Sequence, residues 1–157
     1  TMSRRSKPPK RIPAPDPVYN NEAVAKFINR LMLKGKKSVA ERVFYQALEE
    51  LEGKTEDKPL DVFLKALSKA KPLVRVKARR VGGSTYQVPI EVREHEGVAI
   101  ASRWIIQHSR SRSGRSMVEK LSRELLDIYN GSGATLKKRE DVHRMAEANK
   151  AFAHYRF

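Results

Sequence analysis

The apolar period of this chain changes from helical to alternating between residues 73 and 92, with helical stripes on both sides. Val74, Val76 and Ala78 alternate with Arg75, Lys77 and Arg79, and beyond Gly82-Gly83 the residues Tyr86, Val88, Ile90 and Val92 alternate with Thr85, Gln87, Pro89 and Glu91. A period of two puts successive side chains on opposite faces of a strand, so the segment reads as a two-stranded ribbon with a glycine turn and a row of cations along one face. Pro89 cannot donate to a ladder and belongs on an edge. Two strands alone are marginal in water. The ribbon must therefore lean on what surrounds it or on a partner.

What surrounds it is helical. Val24, Phe27, Ile28, Leu31 and Met32 recur at three- and four-residue spacing after a cap at Asn20 or Asn21, and Gly35 suits a left-handed stop. Ala40, Val43, Phe44, Ala47, Leu48 and Leu51 form a second stripe that ends at Gly53. Pro59 suits a first helical position, and the stripe Leu60, Phe63, Ala66, Leu67 and Ala70 runs from it to Pro72. Three more stripes follow the ribbon: Val98, Ala101, Ile105 and His108 with Trp104; Val118, Leu121, Leu125 and Ile128; and Val142, Met145, Ala146, Asn149 and Phe152. The expectation is a mainly α fold, a six-helix domain with a protruding two-stranded β-hairpin between the third and fourth helices. With aromatics at 7% of 157 residues, its core should be mostly aliphatic. This length gives one domain's worth of chain. We read residues 1–18 as an extended basic tail, because five of the eight prolines fall there with Arg4, Arg5, Lys7, Lys10 and Arg11. Residues 19–157 then form a single helical domain, with the hairpin at about 73–92.

Charge narrows the function. The formal net charge is +15, and it is unevenly distributed. Residues 18–58 hold eight basic and seven acidic groups, whereas residues 71–93 and residues 103–123 each hold six basic groups and one acidic. Cations gathered on loops and a ribbon are poor core material and good phosphate contacts. A membrane-surface helix is a weaker reading, since no stripe pairs an aromatic-rich apolar face with a dense lysine face. No apolar run approaches the ~18 residues of a membrane span, and the first residues lack the apolar core of a signal peptide.

An active site finds no support. Absence of cysteine removes disulfides, thiolate metal sites and thiol nucleophiles. His95, His108, His143 and His154 include no pair at the spacing of a zinc-protease helix. His108 continues an apolar stripe and reads as packed, and His95 sits between Glu94 and Glu96 at a helix start. The glycines form neither a Walker loop nor a dinucleotide fingerprint, and Gly82-Gly83-Ser84 lacks the second glycine of a nucleophile elbow because Tyr86 stands there. We expect no enzyme, no cofactor and no small-molecule substrate.

Three stretches carry a family resemblance. Phe27-Ile28, Gly35-Lys36-Lys37, Val43-Phe44 and Ala47 form the first. The second is Arg79-Arg80-Val81-Gly82-Gly83 with Tyr86-Gln87-Val88-Pro89 and Glu91-Val92, and the third is the near-continuous run from Lys137 to Arg156. Together they resemble the universal small-subunit ribosomal protein seven, in its bacterial or organelle form. The resemblance implies a helical domain with a projecting hairpin that binds small-subunit rRNA directly and nucleates assembly of the subunit head. It further implies a position near messenger RNA and the exit-site tRNA, with the small-subunit proteins numbered nine and eleven as neighbours. The location implied is the ribosome, cytoplasmic or organellar.

The RNA-binding candidates are Arg4, Arg5, Lys7, Lys10 and Arg11 in the tail, and Lys34, Lys36 and Lys37 at the first interhelix turn. Arg75, Lys77, Arg79 and Arg80 belong to the ribbon, Arg110, Arg112 and Arg115 to a serine–arginine loop spanning Ser109–Ser116, and Lys137 and Lys138 to the last helix. Folded RNA is read mostly by shape, 2′-hydroxyls and phosphates, which dispersed cations on a rigid frame can provide. An architectural DNA-binding protein is the alternative, and it requires an apolar wedge at the ribbon tip near Val81.

Overall fold

The computed structural model describes residues 4–155, so the first three residues of the expected tail and the last two of the chain, with Arg156 of the third family stretch, lie outside it. Six α-helices run in the order α1 (Glu22–Leu31), α2 (Lys37–Leu51), α3 (Pro59–Ala70), α4 (Glu94–Ser111), α5 (Met117–Tyr129) and α6 (Ala134–Ala148). Strands β1 (Val74–Val81) and β2 (Ser84–Glu91) form an antiparallel hairpin between α3 and α4, and a 3-10 segment (Lys150–Tyr155) follows α6.

Local chemistry sets the boundaries. Asn21 caps α1, its side-chain oxygen accepting from the amides of Ala23 and Val24. Pro59 opens α3 and Ser116 caps α5 through the Glu119 amide. Gly82 (φ 58°) and Gly83 (φ 84°) are both left-handed, as a two-residue hairpin turn of matching twist demands.

At the centre of the core, Phe27 of α1, Phe44 of α2 and Phe63 of α3 are fully buried, with ring centroids 5.0–5.5 Å apart. Aliphatic residues of the same helices and of α4 and α5 surround them, including Leu48, Leu51, Ile105, Leu121 and Leu125. The core is aliphatic by number, as the composition implies, but its middle is aromatic. Helix α5 packs on α2, α3 and α4 and closes the bundle.

The tail joins the body at Asp16, which is buried. Its carboxylate accepts from the amides of Val18 (3.2 Å), Tyr19 (2.8 Å) and Asn21 (2.9 Å) and from the Tyr45 hydroxyl (3.1 Å). Burial, together with the hydrogen bond to Asp16, pushes the Tyr45 phenol up to about 12.

Three departures from the sequence expectation concern function. The serine–arginine stretch is not all loop: α4 continues to Ser111, and Ser109 is buried with its hydroxyl donating to the Ile105 carbonyl. Arg112 ends the helix inside an ion pair, 3.0 Å from Glu124 and 2.6 Å from Asp127. The other oxygen of buried Glu124 accepts from the Thr135 hydroxyl (2.7 Å) and amide (3.3 Å), so this cluster joins α4, α5 and α6. Helix α6 stops at Ala148, which leaves Phe152 in the 3-10 segment, and Met145 is half exposed rather than core.

The third departure is the covered face of the hairpin. Register pairs Arg75 with Ile90, Lys77 with Val88 and Arg79 with Tyr86, and directly opposite residues share a face. Val88 is fully buried and Tyr86 packs against Phe152 and Tyr155 at 5.2 Å. The cation row therefore shares its face with the side that α6 and the 3-10 segment cover, and Arg79 donates to the Tyr155 carbonyl. At the hairpin base, Lys71 pairs with Glu94, the Arg139 Nε donates to the Lys71 carbonyl (3.0 Å), and the Leu73 amide donates to the His143 Nε2 (3.0 Å).

Two outcomes follow. Replacing Arg112 by Ala strands the Glu124 carboxylate and should lower the unfolding free energy by about 2–3 kcal/mol in urea titration, below a fully buried pair because Arg112 keeps some solvent contact. Burial, and then the charge of Arg139, hold the His143 pKa below its ordinary value. The folded chain thus favours the neutral ring that accepts from Leu73. Stability from this contact is complete above the unfolded value near 6.5 and is lost as pH falls through the lower folded value. Urea midpoints between pH 7 and pH 5 should fall more for the native chain than for His143→Gln.

Candidate nucleic-acid interface

Helix α1 buries Val24, Phe27, Ile28 and Leu31, which leaves Lys26 and Arg30, one turn apart, on its outer edge. Helix α4 buries Ala101, Ser102, Ile105 and Ile106, which leaves Arg103 and Arg110, two turns apart, beside them. Between the two helices runs an open groove. One section, about 590 Å³, is lined by Lys10, Lys26, Arg30, Arg75 and Arg103 with His95, Glu22 and Glu96. A second section, about 430 Å³, shares Arg30 and Arg103 and reaches Arg110. Tail, first helix, ribbon and fourth helix thus each contribute cations to one trough.

The trough is short of anions. Lys26 is paired with Glu22 at 2.7 Å, and Arg75 approaches Glu96 only at 3.6 Å. The Arg30 Nη1 and the Arg75 Nε are buried and have no hydrogen-bond partner among the described residues. Burial, and then the neighbouring charge of Arg103, pull the Arg30 pKa below its ordinary value. A half-buried guanidinium beside a like charge, with a donor unpaired, is relieved by an anion with several acceptor oxygens. Phosphodiesters are such anions, and arginine's fork matches them.

The residues singled out from sequence divide among several places. Arg4, Arg5, Lys7 and Arg11 are exposed along the tail, and Lys10 enters the trough. Lys34, Lys36 and Lys37 are exposed at the α1–α2 turn. Of the ribbon, Arg75 reaches the trough, Lys77 and Arg80 are exposed, and Arg79 is half-buried against Tyr155. Arg110 stands at the far end, with its Nη2 donating to the Leu31 carbonyl at 3.1 Å. Arg112 is engaged by Glu124 and Asp127, whereas Arg115 is exposed. Lys137 and Lys138 are exposed on α6, and Lys137 lies with Lys69 and Arg139 around a separate depression beside Gly131–Gly133.

Sequence reasoning missed Lys26, Arg30 and Arg103. The available signal was the spacing of cations on one helix edge, which pairs Lys26 with Arg30 and Arg103 with Arg110. The hairpin tip, Val81-Gly82-Gly83-Ser84, presents no large apolar side chain of the kind a DNA wedge needs. Among the described residues, no group of three His, Cys, Asp or Glu side chains is placed to hold a metal ion, and no helix is long and apolar enough to cross a membrane.

Comparison with known proteins agrees with the sequence resemblance. Residues 3–150 match the family described as Ribosomal protein S7p/S5e. A protein named small ribosomal subunit protein uS7, from Acaryochloris marina (strain MBIC 11017), is 58% identical over 156 residues, covering 99% of this chain and all of the relative. Proteins of the same name from Desulfatibacillum aliphaticivorans and Nitratidesulfovibrio vulgaris (strain DP4) are 56% and 57% identical, each over 99% of this chain and all of the relative.

Replacing both Arg30 and Arg103 by Gln keeps side-chain bulk and removes the two charges. RNA affinity should fall, and the slope of log K against log salt should shrink by roughly 1.4–1.8, the value for two lost phosphate contacts. The thermal midpoint should not drop, because the change also removes a like-charge contact.

Proposed function

The chain belongs to the Ribosomal protein S7p/S5e family, a structural constituent of the small ribosomal subunit, and from that premise we propose that it works by binding small-subunit rRNA directly, through the α1–α4 trough. The observation that carries this reading is the Arg30–Arg103 pair, a like-charge contact with an unpaired buried donor inside a groove rimmed by four further cations.

The RNA backbone lies along the trough, held by Lys10, Arg30, Arg75, Arg103 and Arg110. The tail cations Arg4, Arg5, Lys7 and Arg11 follow phosphates beyond its end. Lys34, Lys36 and Lys37 take an adjoining strand, Lys77 and Arg80 serve whatever passes the hairpin, and Lys137 and Lys138 meet RNA on the α6 side. Residues 19–157 act as one RNA-binding domain, and the segment before them as an arm. A rigid frame with cations on several faces brings separate RNA helices into one arrangement, which is what nucleating the head of the subunit requires. The exit-site tRNA and mRNA lie near the hairpin, and the small-subunit proteins numbered nine and eleven are its neighbours. The chain contributes structure to the ribosome and no catalysis.

The test is affinity for a multi-helix junction from the rRNA of the subunit head against length-matched duplex DNA, titrated across salt. Junction binding should persist where duplex binding has collapsed, because shape-specific contacts survive the loss of counterion release. Equal affinities that fall together would reduce the chain to a generic polycation and overturn the reading.

A further inference from the structure

A second groove lies beyond the end of the trough and has a different chemistry. About 480 Å³ in volume, it is lined by Leu31, Leu33, Val39, Ala40, Val43 and Met117, with Lys34, Lys36 and Arg110 at its rim and no carboxylate. Leu33 is 59% exposed and Val39 41% exposed, so two large aliphatic side chains at one turn stand uncovered. The turn between Leu33 and the α2 helix that carries Val39 is held in an unfavourable backbone. Lys34 (φ 53°) and Gly35 (φ 72°) are consecutive left-handed residues, and a lysine in that region is strained where glycine is not. Arg110 is fixed at the rim by its bond to the Leu31 carbonyl.

We propose that this groove docks a peptide segment of a partner protein, one with apolar side chains flanked by carboxylates. Charge selects the flanks: three cations around an aliphatic floor with no acid leave an inserted apolar residue beside unpaired positive charge, which glutamate or aspartate neutralises. The floor selects protein over RNA. It contains no aromatic ring on which a base could stack, while aliphatic side chains and a methionine adapt to inserted apolar groups. The inference goes beyond the rRNA reading: its apolar floor, with Leu33 and Val39, lines none of the trough, while its rim shares Lys34, Lys36 and Arg110 with the RNA contacts proposed above.

The experiment titrates the full chain, isotope-labelled at its methyl groups, with three probes. The first is a short helical peptide with two leucines one turn apart and glutamates flanking them, the second is the same peptide with lysines for the glutamates, and the third is single-stranded oligouridine. The acidic peptide should shift the methyl signals of Leu31, Leu33, Val39, Val43 and Met117 saturably, and the lysine peptide should bind at least about tenfold more weakly. The exposed-residue variant Leu33→Ser/Val39→Thr should lose at least about fivefold in peptide affinity and keep its affinity for the rRNA junction. Absence of saturable shifts, equal binding of both peptides, or saturation of these methyl shifts by oligouridine at a lower concentration than by the acidic peptide would each overturn the proposal. Loss of junction binding in the native chain would overturn only the rRNA reading.

Discussion

Three phenylalanine rings, one from each of the first three helices, meet at 5.0–5.5 Å, and the placement of the α1 cations in the trough, Lys26 and Arg30, follows from that contact. Two of the three pairs meet edge to face and the third is tilted, and such pairs contribute roughly 0.5–1.5 kcal/mol each beyond the area they bury and constrain angle as well as distance. With Phe27 committed to the centre, the rotation of α1 about its axis is set. The edge beside its buried face, which carries Lys26 and Arg30, then turns toward α4. A shift of one residue in that helix would put either Arg30 at the buried place of Leu31 or Phe27 at the outer place of Lys26.

Net charge is a coarse guide to where such a protein meets its partner. Arg112 belongs to a cluster that ties three helices together, and Arg79 fastens the hairpin to the 3-10 segment. Both add to the +15 of the chain, and both already have protein partners. Arg30 is the reverse case. It is half-buried, which ordinarily marks a structural residue, yet one of its donors has no partner among the described residues. Whether a buried cation is balanced by protein distinguishes these roles better than exposure does.

Most of the frame was legible because its signals are local. The first five helical stripes, an asparagine cap at 20 or 21, Pro59 at the start of α3 and the Gly82-Gly83 turn are each decided within a few residues, and the structure has these where the sequence puts them. The features that were not legible depend on residues distant in sequence. Which face of the hairpin is covered depends on Tyr86 meeting Phe152 and Tyr155, a contact across some seventy residues that alternation alone cannot reveal. Arg112 read as a free loop cation because Glu124 and Asp127 lie a helix further on. Arg30 and Arg103 are separated by α2, α3, the hairpin and the first half of α4, so their proximity exists only after folding.

The Asp16 anchorage also fixes the geometry of a tether. From Arg4 to Pro15 the chain is proline-rich, and at about 3.1 Å per residue in an extended proline conformation it spans at most roughly 37 Å. Anything the five tail cations touch must lie inside that radius, measured from a point beside the first turn of α1. Within it, a polyanion already seated on the body meets those cations at an effective concentration in the millimolar range. An arm of that reach would slow dissociation of a polyanion that the body had already selected.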